Sequence, residues 1–220
     1  MERLIVKKEL YDSIKDDDKF LDAIQLCRIL SAIQYNNNIY GLLNEHVKSE
    51  EFDTYIQLHL VILHSAFLYE GIKKFNTIKN NWKELESLES FIANKEIIEE
   101  FFSAKNSFYS EILYNIRRKV AFHFDGHVVV SKLEEFLSKS KTEDVFFVES
   151  KTDLNKDMKF SLANNLSFHY ILGLIEGDSD KEKFKSFALK LTELSNLFCD
   201  TLQVIIPELI EDYCNFEEKQ

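Results

Sequence analysis

A single proline and only five glycines are spread over 220 residues. A chain so poor in breakers lacks the turn signals that a many-stranded β protein needs, and long helices are the expected result. Three cysteines, Cys27, Cys199 and Cys214, stand far apart with no CxxC pair, which argues against a disulfide framework or a zinc knuckle and for a reducing, cytoplasmic setting. No apolar run approaches the ~18 residues of a membrane span, and the opening "MERLIVKKELYDSIKDDDKF" has no signal-peptide core, so a protein without a membrane partner is expected. Positive charge is scarce as well: 27 Lys and Arg stand against 38 Asp and Glu, giving a formal net charge of -11 and a pI near 5.1. Nonspecific nucleic-acid affinity comes chiefly from neutralising phosphates, so this balance argues against a broad nucleic-acid-coating surface and allows only a local basic patch.

Several chemistries lack their signatures. The chain has no HExxH, no glycine-rich phosphate loop and no nucleophile elbow. None of His46, His59, His64, His123, His127 and His169 has a glutamate three positions earlier, as a di-iron bundle would require. "HFDGH" offers His123, Asp125 and His127 as neighbouring ligands, but no remote partner completes a metal site. Neither a metal nor a cofactor is expected. His59 and His64 fall in the most apolar segment, where a neutral histidine hydrogen-bonded within a core is the usual explanation.

What is present is apolar material for one sizeable core, 45% hydrophobic with 30% charged residues, so residues 1–220 are expected to form one mainly α domain. Phe20, Ile24, Cys27, Leu30 and Ile33 recur at three- and four-residue steps, with Ile39 six further on, behind a run of aspartates, which predicts a helix over about 17–47. A second helix is expected after an N-cap at Ser49, apolar around much of its circumference from Tyr55 to Leu68. Two short helical pieces follow, then a longer helix from about 106 to the neighbourhood of His123, terminated by "DGH". "DVFFVES" and "MKFSLAN" flank the polar "KTDLNKD" and predict a small β-hairpin at about 145–163. A last long helix is expected at about 179–214, with a kink or break just before Pro207.

The stretch "YNIRRKVAFHFDGH" concentrates Arg117, Arg118 and Lys119 shortly before an aromatic-flanked His123. At α-helical spacing Phe108, Ile112, Ile116, Val120 and His123 share one stripe, so His123 can be read as a core histidine with the arginines as surface residues ion-paired to acidic neighbours. A site shared by either arginine and His123 requires the helix to end or distort near Phe122.

"RRKVAFH" also resembles the signature of the HEPN superfamily, an arginine, four to six residues and a histidine; Arg117 matches with five intervening residues and Arg118 with four. The resemblance implies a helical bundle of HEPN type, here with extra helices and the small β-hairpin insertion, and a metal-independent endoribonuclease acting as a toxin or phage-defence effector. It assigns catalysis to Arg117 and His123, with Arg118 and Lys119 binding RNA, although either arginine can be the one of the motif. It further implies an RNA substrate, a homodimer with both motifs facing one cleft, and an antitoxin or defence-system protein as a possible partner. The other reading open at this point is a noncatalytic helical interaction module that binds a protein partner or nucleotide.

Overall fold

The computed structural model describes residues 3–6, 14, 16–46, 50–121, 161–211 and 214–217, with side chains over 14, 16–39, 57–121 and 166–211. The class is mainly α. The elements are β1 (Arg3–Val6), α1 (Asp18–His46), α2 (Glu50–Asn81), the short α3 (Glu89–Ala93) and α4 (Lys95–Phe101), two π-wound segments (Phe108–Leu113 and Ile116–Ala121), α5 (Ser161–Gly173), α6 (Asp180–Leu209) and β2 (Cys214–Glu217). The two strands pair antiparallel, with Arg3 opposite Glu217 and Val6 opposite Cys214. Contacts group the chain into two compact units, one made of 1–37, 67–110 and 192–220 and the other of 38–66 and 111–191. Helices α1, α2 and α6 each contribute residues to both, so the units are not consecutive stretches of chain.

Helix α1 starts where the aspartates predict: the Asp17 carboxylate accepts the Phe20 N–H at 2.9 Å and caps it. Its core face differs from the expected stripe. Ala23, Leu26 and Ile33 are buried, whereas Ile24 and Ile39 are exposed. The helix carries apolar residues on more than one face, and periodicity alone does not say which face meets the core.

In the first unit the core is an aromatic cluster. The Phe102 ring meets Phe75 edge-on at 6.1 Å between centroids and Phe198 at 5.6 Å, and Phe91 stacks on Phe75 at 6.5 Å. Glycine makes this packing possible, because a Cβ at Gly71 of α2 would lie 2.8 Å from the Phe198 ring and 2.9 Å from Ile29 Cγ2. Polar contacts fasten the periphery: Asn76 Nδ2 donates to the Phe102 carbonyl at 2.6 Å, and Lys74 pairs with Asp22. The Glu208 carboxylate accepts the N–H groups of Glu89 and Ser90 at 2.8 and 2.9 Å, satisfying the first turn of α3. These donors, with the Ser90 side chain foremost, hold the Glu208 carboxyl below its usual range.

Two sequence expectations are corrected. Helix α6 has no break before Pro207, running through it to Leu209, and it stops short of the expected 214, where Cys214 already belongs to β2. Pro207 cannot donate to the carbonyl of Gln203, four residues back, but it stands in the last turn and Gln203 is an exposed residue, so the lost bond lies at the surface end of the helix. The second strand of the expected hairpin is helical where it is described: Ser161, Leu162 and Ala163 begin α5, while 145–160 lie outside the described residues. "SLANNLSFHYILG" carries long apolar residues at helical spacing, in keeping with the helix found from Ser161 onward.

The second unit packs Leu58 and Ile62 of α2, Leu113 and Ile116 of the π-wound segments, Leu172 of α5 and Phe187 of α6 as buried residues. Within it Phe168 and Phe184 approach to 5.7 Å between ring centroids.

Gly71→Ala is expected to lower stability by about 1–3 kcal/mol, because the added methyl must displace a fully buried ring. Equilibrium urea unfolding checks this, with Lys73→Ala on the exposed side of the same helix as the control expected to stay within about 0.5 kcal/mol of the wild type.

Candidate functional site

The helix that carries the basic residues is launched by Asn106. Its Oδ1 accepts the Phe108 and Tyr109 N–H groups at 3.0 and 3.4 Å, its backbone carbonyl accepts the Ser110 N–H at 2.9 Å, and its Nδ2 donates to the Phe101 carbonyl at 3.1 Å. From Phe108 the backbone winds as a π-helix through Leu113, passes Tyr114 and Asn115 in α geometry, and winds as a π-helix again from Ile116 to Ala121.

A ladder of i→i+5 bonds places more residues in each turn than the 3.6 of an α-helix, so side chains five apart are brought nearer to one face than α winding would bring them. Phe108 with Leu113, and Ile116 with Ala121, are such pairs, and all four are buried. Ile112, which α-helical spacing puts on the core stripe, is only half-buried, and Leu113 takes its place at 0% exposure. The π winding is confined to Phe108–Leu113 and Ile116–Ala121 among the described residues, and Phe122, where a shared arginine and histidine site requires the helix to end or distort, lies outside them.

The three basic residues have different surroundings. Arg117 is half-buried and its Nε is closed off from solvent; Lys119 is half-buried; Arg118 is exposed. Arg118 Nη1 donates to the Tyr114 hydroxyl at 2.7 Å, and its guanidinium carbon lies 5.8 Å from the centroid of the Tyr114 ring. Among the described residues the Arg118 guanidinium therefore meets a phenol, so its full positive charge is left uncompensated by a carboxylate. His123 lies outside the described residues, as does the rest of "HFDGH".

The remaining histidines divide. His64 is buried at 6% exposure, as expected of a core histidine, and burial holds its imidazole down at about 4, neutral near pH 7. His59, expected to be its companion in the core, is exposed, because α2 turns that face outward at residue 59. Among the described residues no group of three His, Cys, Asp or Glu is arranged to hold a metal ion, and no helix is long and apolar enough to cross a membrane. Burial pushes the Tyr109 phenol up to about 12 and the Cys199 thiol upward, so neither is ionised near neutrality.

Two features escape the sequence reading. Tyr114 is one; its signal is an aromatic residue four positions before an arginine, a common helical pairing. The other is a dent of about 310 Å³ in the first unit, lined by Gln25, Arg28, Ile29 and Ala32 of α1 and Phe67 of α2. Leu21 at 41%, Ile24 at 42% and Tyr35 at 69% exposure stand on the same helix. Leu21, Ile24, Arg28 and Tyr35 recur at three-, four- and seven-residue steps, a second helical stripe visible in the sequence once the core stripe is known.

The sign of the His64 effect is fixed by its depressed value. Between pH 6.5 and 4 the unfolded chain binds a proton at this imidazole that the folded chain does not, so its contribution to stability is present above pH 6.5 and lost as pH falls toward 4. His64→Gln is expected to lose about 2 kcal/mol less stability than the wild type between pH 7.5 and 4.5, read from denaturant midpoints at the two values.

Compared with protein-family models, characterised proteins and solved structures, the chain matches none.

Proposed function

We propose that the chain is a metal-independent endoribonuclease of HEPN type, a toxin or phage-defence effector. The observation that carries the reading is the π-wound turn Ile116–Ala121, which sets Arg117, Arg118 and Lys119 together shortly before His123 in the "RRKVAFH" stretch. An in-line attack of the ribose 2'-hydroxyl on the adjacent phosphorus forms a 2',3'-cyclic phosphate and breaks the bond to the 5' oxygen. One group takes the proton from the 2'-hydroxyl and another gives a proton to the departing oxygen. The equatorial oxygens carry negative charge that an arginine fork matches in shape.

In this reading His123 transfers protons, the role an imidazole side chain commonly takes in general acid–base chemistry. Arg117 is the motif arginine, kept in place by its partial burial, and Arg118 and Lys119 bind the RNA backbone. The nucleophile belongs to the substrate, so no cofactor is needed. One histidine does not serve both faces of an in-line displacement, and a homodimer with the two 117–123 segments facing one cleft supplies the second. Acidic surface elsewhere suppresses indiscriminate RNA adhesion, which suits a cytoplasmic effector held in check by an antitoxin or defence-system partner.

One observation favours a second reading, a noncatalytic module that binds a protein partner or nucleotide: the apolar face of α1 with its dent at Arg28. An inactive wild type whose cellular effect is lost in Ile24→Lys but kept in His123→Ala belongs to that reading.

The test is purified protein on total RNA with EDTA present. Cleavage is expected to survive chelation, to fall by at least about 100-fold in Arg117→Ala and in His123→Ala with the helical circular dichroism unchanged, and to leave 2',3'-cyclic or 3'-phosphate and 5'-hydroxyl ends. Loss of cleavage on chelation, restored by a divalent ion and giving 5'-phosphate ends, would overturn the mechanism. Sedimentation at micromolar concentration is expected to show a dimer, and a fully active monomer would remove the two-motif cleft.

A further inference from the structure

We infer that Tyr114 is a positioning residue for RNA binding, acting through Arg118; the inference rests on the ribonuclease reading and adds to it a residue outside the Arg-to-His stretch. Arg118 is exposed, and a guanidinium at the end of a flexible stem ordinarily samples many rotamers and loses that freedom on gripping a phosphate. Tyr114 removes much of this freedom in advance. Its hydroxyl takes Nη1 at 2.7 Å while its ring lies under the guanidinium carbon at 5.8 Å, so the fork is held at two points.

Both anchors are neutral. A carboxylate at the same place would fix the fork equally well and cancel its charge, whereas a phenol fixes it and leaves the positive charge for a phosphate. Nη1 is committed to Tyr114, and the remaining N–H donors of the fork are those a phosphate oxygen would meet. The spacing that permits the contact is local: Tyr114 and Asn115 keep α geometry between the two π-wound segments, which places residue 114 one turn before residue 118.

The experiment measures binding of a mixed-sequence 20-nucleotide 2'-O-methyl RNA, which lacks the attacking hydroxyl and is not cleaved by this route, across a salt series. The expected pattern has three parts. Tyr114→Phe, which keeps the ring and removes the hydroxyl, weakens binding by about 3–10-fold with a salt slope parallel to that of the wild type, because the charge is still present. Arg118→Ala weakens binding and makes the slope shallower by about 0.7, the share of one phosphate contact on a single strand. The double variant Tyr114→Phe/Arg118→Ala matches Arg118→Ala alone, since a residue that acts through another adds nothing once that other is gone. Binding by the wild type with Tyr114→Phe unchanged, or with the two substitutions simply additive, would overturn the positioning role and leave the ribonuclease reading standing. Failure of the wild type to bind this RNA at low salt would sink both.

Discussion

The first unit depends on the absence of one side chain. Helix α2 presents Gly71 where the Phe198 ring of α6 and Ile29 of α1 press in, at distances that no Cβ could share. From that contact the aromatic cluster builds outward, Phe198 to Phe102, Phe102 to Phe75 and Phe75 to Phe91, in edge-on and stacked geometries that suit the ring quadrupoles. The short helices α3 and α4 have too few residues to be stable alone. They are held because Phe91 and Ile98 are buried and because Glu208 takes up the two N–H groups at the start of α3.

In the second unit, the electrostatic feature that stands out is how the basic residues at 117–119 are positioned. Arg117 is partly buried by the same turn that buries Ile116 and Val120, and Arg118 is tethered by a phenol. A local positive feature in a chain of net charge -11 keeps its field only if acidic side chains are held away from it. A neutral tether is one way to do that. The π winding sets which residues face inward here, and its effect is concrete: Leu113 takes the inward place that α spacing gives to Ile112.

Much of the fold was legible in the sequence because helix signals are local. The scarcity of breakers, the Asp17 cap, the start near Asn106, the extent of α1 and the start of α6 all depend on neighbours within a turn or two. What was not legible depends on distant neighbours. Which apolar stripe of α1 faces inward is decided by contacts such as the one between Ile29 and the backbone at Gly71, and the helical start of α5 at Ser161 overrode a strand-like composition. No break occurs at Pro207, because it falls in the last turn of α6, where only one hydrogen bond near the helix end is lost. In the candidate site the cluster of Arg117, Arg118 and Lys119 was readable from spacing, but the phenol that holds Arg118 needed coordinates.

The composition of the first unit has a consequence for the chain while it is being made. Phe75, Phe91 and Phe102 leave the ribosome well before Phe198, which follows roughly a hundred residues later, on the order of ten seconds at ordinary rates of synthesis. For that interval three large rings that end almost fully buried lack their capping ring, and the α3 N–H groups lack the carboxylate that accepts them. The nascent chain therefore passes through a sticky, half-built stage whose length is set by translation speed. Slowing the ribosome between those positions should increase loss to aggregation.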